Sequence, residues 1–259
     1  MKSLAFKANP GRMGYRELFR VAGPPVMGVL ACLLKLFRIL GPENDGYGMK
    51  SFGDSLERLD MDSLPRRVLQ ATRNYRAKLE ALGFIPDFAY SLECYGCQEA
   101  HGQVFRHKDG LTAASIAYAR SVGGTIESET SVFSFNTMLM DDTYVITSGS
   151  KRLMNKPGTF LTENLPGQSP KAIYERHLQR IQQADDKPRK IKTLDDLERL
   201  VLNCENEETD FNLERGVYVK MKRSEVETGK ELKQQYDEES ASPGFRGRRR
   251  DPVDDEEED

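Results

Sequence analysis

Apolar positions recur along this chain with two different periods, and the change of period marks the elements. Leu64, Val68, Ala71, Tyr75, Leu79 and Leu82 follow one another at spacings of three and four. That spacing puts them on one stripe of a helix running from about Ser63 to Leu82. Asp62 or Ser63 suits its cap, Pro65 its first turn and Gly83 its end. From Phe84 to Ser148 the period falls to two, the signature of strands. Phe84, Phe88, Tyr90, Leu92 and Cys94 share one parity and are expected on one face. Turns at Asp109-Gly110, Gly123-Gly124 and Asp141-Asp142 separate further alternating runs. An antiparallel meander of about five strands follows, with the helix at 63–82 covering one face. The opposite face carries Ser, Thr, Glu and Tyr and is expected to be wet or lined by ligand.

Helix returns at Ser169, where a capping serine precedes Pro170. Thr193 and Asp196 form a capping box for a second helix carrying Leu194, Leu197, Val201 and Cys204. The segment 215–223 is ambiguous between helix and strand. Beyond Tyr236 the chain has almost nothing to bury and is predicted to be a disordered polyampholyte tail. The fold class is therefore α+β: an antiparallel sheet of about five strands packed against helices, with an N-terminal apolar helix. Three regions are expected: residues 1–54 as a basic and apolar leader with its linker, 55–236 as the α+β domain, and 237–259 as the tail.

The leader holds the most apolar passage of the chain. From Val21 to Leu34 it carries no charge, which as helix spans about 21 Å, short of the ~30 Å hydrocarbon core. Pro25 suits a helix start, and Gly41-Pro42 closes it near Leu40. Extending the span that far brings in Lys35 and Arg38, each costing about 2.5–3.5 kcal/mol at mid-bilayer. Lys2, Lys7, Arg12, Arg16 and Arg20 precede the passage, with Glu17 the one acid among them. Contact with a membrane surface fits this pattern better than a crossing, a cleaved signal or a core helix. The contact residues are expected to be Arg20, Val26, Leu30, Leu33, Leu34, Lys35, Phe37 and Arg38. On that reading deletion of residues 1–45 leaves a folded domain.

Composition narrows the function without naming it. A net charge of -3 with 31% charged residues gives no global field toward nucleic acid. The tail arginines Arg246, Arg248, Arg249 and Arg250 sit beside acids that neutralise them, so nucleic acid is disfavoured as a partner. The sharpest local chemistry is Cys94, Cys97, His101 and His107, ligand types that zinc prefers. Their spacing is tight for a zinc site. Cys94 and Cys97 also form a C-x-x-C pair, although a redox pair normally sits at a helix N-terminus. Phe84, Phe88 and Tyr90 make an aromatic row that would suit a small hydrophobic ligand, if it is not simply core. His177, flanked by Ile173 and Ile181, is expected to pack at a helix–sheet boundary. Ser148 to Arg152 is a candidate anion contact or a solvated turn.

The sequence thus points to a non-enzymatic binding or interaction module on a membrane lipid surface, on the cytoplasmic side, with a protein partner. The alternatives are a zinc-dependent or thiol-redox protein, a small hydrophobic-ligand carrier, and a soluble cytoplasmic protein.

Overall fold

The computed structural model describes residues 3–21, 25–36, 48–96, 98–123, 126–151 and 154–241. Strand β1 (Ala5–Ala8) leads into helices α1 (Tyr15–Val21) and α2 (Pro25–Leu36), then β2 (Gly48–Lys50). Helix α3 (Arg66–Ala81) precedes β3 (Phe84–Leu92), β4 (Cys94–Tyr95), β5 (Gln98–His107) and β6 (Ala113–Gly123). Strands β7 (Ile126–Met138), β8 (Tyr144–Ser148) and β9 (Phe160–Asn164) complete the strand-rich half. Helices α4 (Pro170–Gln182) and α5 (Leu194–Glu214), strand β10 (Tyr218–Lys220) and helix α6 (Arg223–Ala241) follow.

The protein is α+β, with two sheets. The larger has strand order β3-β5-β6-β7-β8-β9, antiparallel except for the parallel pair β8 and β9. Alternation along its strands builds a core on each face. On the first, Phe105, Ile116, Tyr118 and Phe135 pack against Val68 and Leu79 of α3 and Ile173 of α4. On the second, Val104, Tyr144 and Phe160 lie under Leu197, Leu200 and Val201 of α5. Each fully buried large side chain contributes about 1.5–3 kcal/mol, so both helical layers are held mainly by burial. Local signals agree. Ser169 accepts from the Ala172 N–H with Pro170 at the first position of α4, and Thr193 and Asp196 close a capping box on α5.

Three features depart from the sequence reading. The large sheet gains a sixth strand, β9, because a short segment after a connection from Ser148 pairs in parallel with β8. A bulge between Pro86 and Phe88 reverses the parity of β3. As a result Phe84 enters the first core while Phe88 and Tyr90 enter the second. The ambiguous 215–223 segment divides into β10 and the start of α6, and α6 continues past Tyr236 to Ala241. The remainder of the expected tail lies outside the described residues.

The leader is also more closely tied to the body than a separate segment 1–54 implies. The small sheet has order β10-β1-β2-β4, so β1 hydrogen-bonds strands from opposite ends of the chain. Phe6 is buried and stacks on Tyr218 at 4.6 Å. Glu17, 1% exposed, accepts from the N–H groups of Gly14 at 2.9 Å and Asn155 at 2.7 Å, and from the Arg215 guanidinium. Burial raises this carboxyl's pKa, but those donors outweigh it and hold the pKa below the ordinary value.

Candidate functional site

Three sites arise from the residues singled out above: the N-terminal helix, the Cys/His cluster and the second face of the large sheet. Helix α2 begins at Pro25, whose missing N–H costs nothing there. It turns Gly28 inward onto the Phe19 ring of α1, where a Cβ would come within 2.6 Å of that ring. Its other surface is apolar and open: Val26 is 78% exposed and Leu36 62%, with Met27, Val29, Leu30 and Leu33 exposed between them. Tyr15, Phe19 and Val21 of α1 extend the patch. Arg12 and Arg16 are exposed beside it, and the neighbouring acid, Glu17, is buried and paired. Leu34 is half-buried. Arg20 donates to the Arg16 carbonyl at 3.0 Å and to Asn155 at 3.4 Å. Lys35 donates to the carbonyls of Gly11 and Met13 and lies 5.2 Å from the Tyr15 ring centroid. Its ammonium is therefore directed at the protein. Phe37 and Arg38 fall outside the described residues. Among the described residues no helix is long and apolar enough to cross a membrane.

The Cys/His residues do not converge. His101 and His107 lie six residues apart on β5, which at about 3.3 Å per residue separates them by roughly 20 Å. His101 meets Ser91 Oγ at 2.8 Å and Glu99 at 2.7 Å, while His107 pairs with Asp109 and packs on Phe84 and Tyr174. Cys94 sits in the small sheet on β4, and burial pushes its thiol up to about 11. A thiol so shifted is a poor metal ligand and a poor nucleophile. Cys97 lies outside the described residues. Among the described residues no three His, Cys, Asp or Glu side chains gather as a metal ion would need.

The second face of the large sheet holds a cavity of about 200 Å³ beneath α5. Wider hollows lie beside α1 and under α6, but both open broadly to solvent. The sheet wall of the cavity is mixed, with polar side chains set among Val104, Ala113, Ile146 and Phe160. Ser115 of β6 and Ser134 of β7 are cross-strand partners with hydroxyls 2.9 Å apart, and the Asn136 amide donates to Ser134 at 3.2 Å. Ser148 donates to the Phe133 carbonyl at 3.1 Å, and its hydroxyl lies 2.8 Å from that of Ser150. Tyr90 reaches the cavity because Gly102 of β5 faces it, where a Cβ would sit 2.1 Å from the phenol ring. Of the predicted aromatic row, Tyr90 alone lines this cavity.

The opposite wall brings Cys204, Glu205 and Glu208 of α5, with Lys156 from the connection between β8 and β9. Lys156 donates to Glu208. Glu205 lines the cavity and is exposed to solvent, although protein is crowded round it at longer range. Burial, reinforced by the Glu208 charge and opposed by Lys156, raises its pKa to about 7. Burial and the nearby glutamates also hold the Cys204 thiol well above its ordinary pKa, so it stays protonated. The Tyr90 phenol is raised by burial and further by the Glu205 charge.

Glu205 and Glu208 were not singled out from the sequence, although a signal existed. They continue the apolar stripe of Leu197, Val201 and Cys204 on α5 at spacings of three and four, where a core helix would place leucine or valine. In comparisons with known proteins, no family model, no curated protein and no solved structure matches this chain.

Proposed function

We propose that this protein is a peripheral membrane binding module, held on an anionic lipid surface by the outer face of α2 and the adjoining side of α1. The observation that carries this reading is α2 itself. Its inward contacts are made through Gly28, Ala31, Cys32 and Lys35, and its outer surface is aliphatic. A patch of this kind on a polar chain marks an interaction surface. Charge complementarity selects lipid as the occupant, because arginines border the patch and the adjacent acid is consumed internally. The helix is about 18 Å long, suited to lying in the interface with its apolar face submerged about 5–10 Å. The anionic cytoplasmic leaflet is the membrane that fits, and the body with its cavity is left facing solvent to meet a ligand or protein partner.

Co-sedimentation of the full chain with vesicles tests this. The protein should pellet with vesicles containing phosphatidylglycerol, much less with phosphatidylcholine alone, and less as salt increases. Leu30→Glu combined with Leu33→Glu should abolish pelleting and leave the circular dichroism spectrum unchanged. Equal and negligible pelleting on both vesicle types would sink the proposal. So would a dimer in light scattering that the same double substitution dissociates, since a second copy would then be the occupant.

A further inference from the structure

We infer that the cavity between the large sheet and α5 is a binding site for a small free organic amine carrying hydroxyl groups, up to amino-sugar size, with Glu205 receiving the ammonium. The inference does not depend on whether α2 touches lipid. Its starting point is an inversion of the usual pattern: a sheet face covered by a helix is normally apolar. That rule holds over most of this face, at Val104, Ala113, Tyr144 and Phe160. Within the cavity lining it is broken by Ser115, Ser134, Asn136 and Ser148, which stand beside Val104, Ala113 and Phe160. Local violations of this kind are expected at functional sites, because small polar side chains leave space and supply hydrogen bonds where packing would favour hydrocarbon.

The size and the charge define the ligand. A volume of 200 Å³ admits about seven waters or one sugar-sized molecule. The titratable groups that face Glu205 among the described residues are Cys204 and Glu208 on α5, Tyr90 on β3 and Lys156 on the connection after β8, with Glu207 beside Cys204. Glu207 is bonded by the Thr159 hydroxyl, and Lys156 is matched to Glu208. Among the described residues Lys156 is the cation acting on Glu205 and its ammonium bonds Glu208, which leaves the Glu205 carboxylate short of positive charge at the cavity. Among the described residues no donor hydrogen-bonds it. An ammonium group supplies both the charge and the donors, and the serines, Asn136 and Tyr90 offer partners to hydroxyls on the same molecule. Anions are disfavoured by the two glutamates, and a hydrocarbon ligand would desolvate the Glu205 carboxylate without giving it a partner.

Protons follow from the same arrangement. With a pKa near 7, Glu205 is about half protonated at pH 7 and must ionise to hold a cation. Ethanolamine is protonated at both pH values, so its binding should release about half a proton at pH 7 and close to none at pH 8.5, whereas Tris and glucosamine, mostly neutral at pH 8.5, should take up a proton there.

Isothermal titration of the full chain with ethanolamine, Tris and glucosamine, against the uncharged analogues glycerol and glucose, tests the inference. At least one amine should bind ten times more tightly than its uncharged analogue. Repeating the titration in buffers of different ionisation enthalpy should show the proton release. Glu205→Gln should reduce amine affinity at least tenfold and remove that release. It should also raise the melting temperature more at pH 8 than at pH 5: the folded pKa exceeds the unfolded one, so ionised Glu205 opposes folding at high pH. A second variant, Ala117→Leu, narrows the exposed side of the cavity and leaves its charges in place; it too should weaken binding. Failure of all three amines to exceed glycerol and glucose, or undiminished binding in both variants, would overturn the inference.

Discussion

His177 shows how much a single buried polar residue can constrain. Its ring is fully enclosed between the α4 backbone and the large sheet, with Nδ1 3.0 Å from Thr147 Oγ1 and Nε2 3.0 Å from Thr137 Oγ1. Arg180 donates to Thr147 Oγ1, which leaves that hydroxyl's own proton available to Nδ1. Thr137 donates to the Leu111 carbonyl and so accepts from Nε2–H. The network closes with the neutral ring, and burial, aided by the Arg180 charge, lowers the pKa to about 3. The unfolded residue titrates near 6.5. Between those values the unfolded chain binds a proton that the native protein does not. Stability should therefore fall on acidification from pH 6.5, by up to about 1.4 kcal/mol per pH unit from this group. Urea unfolding at pH 7 and pH 5 should show the loss, and His177→Leu should reduce it. Thr147→Val, which leaves Nδ1 without a donor, should cost about 1–3 kcal/mol at pH 7. A packed position for His177 could be read from its isoleucine neighbours. The two threonines could not, because they come from strands 30 and 40 residues away in sequence.

Among the elements, those with many turns or many alternations were legible and the short ones were not. Helix α3 keeps the stripe of Val68, Tyr75 and Leu79 against the sheet, as the spacing requires. The strands of the small sheet have two to four residues each, too few for a period to emerge, and their pairing is long-range. Strand β3 was legible as a strand, but its bulge divided the aromatic row between two cores. The α1–α2 pair illustrates both outcomes. Its apolar outer face could be anticipated, whereas the inward bonds of Lys35 and Glu17 could not. Glu17 is the element's anchor, joining α1 to Arg215 and Asn155. Glu17→Gln removes the charge with little change of shape. It should destabilise the protein by about 1.5–3 kcal/mol, measured by thermal denaturation, and increase proteolytic cleavage within residues 10–36.

For the whole molecule, the decisive fact is that the first strand pairs with β10, near the far end of the described chain. Removing residues 1–45 would leave β10 and β2 each without its shared neighbour and Arg215 without its carboxylate. The shortened chain should melt roughly 10 °C lower than the full one, in a differential scanning experiment, or aggregate during the scan. A melting temperature unchanged by the deletion would restore the picture of an independent leader. The proposed lipid contact and body stability are thus coupled through β1 and α1, while α2 itself contributes little to the core.

Short-range periodicity was enough to establish the α+β class, the meander, the helix that covers it and the greasy character of α2. Each of these depends on which side of one local element is apolar, and that is written in consecutive residues. Tertiary structure alone decided the parallel edge strand, the shared N- and C-terminal sheet, the parting of the Cys/His residues and the cavity. Those depend on distances between groups far apart in the chain. Ser115, Ser134 and Glu205 look ordinary in sequence and acquire a chemical meaning only when folding sets them around the same small volume.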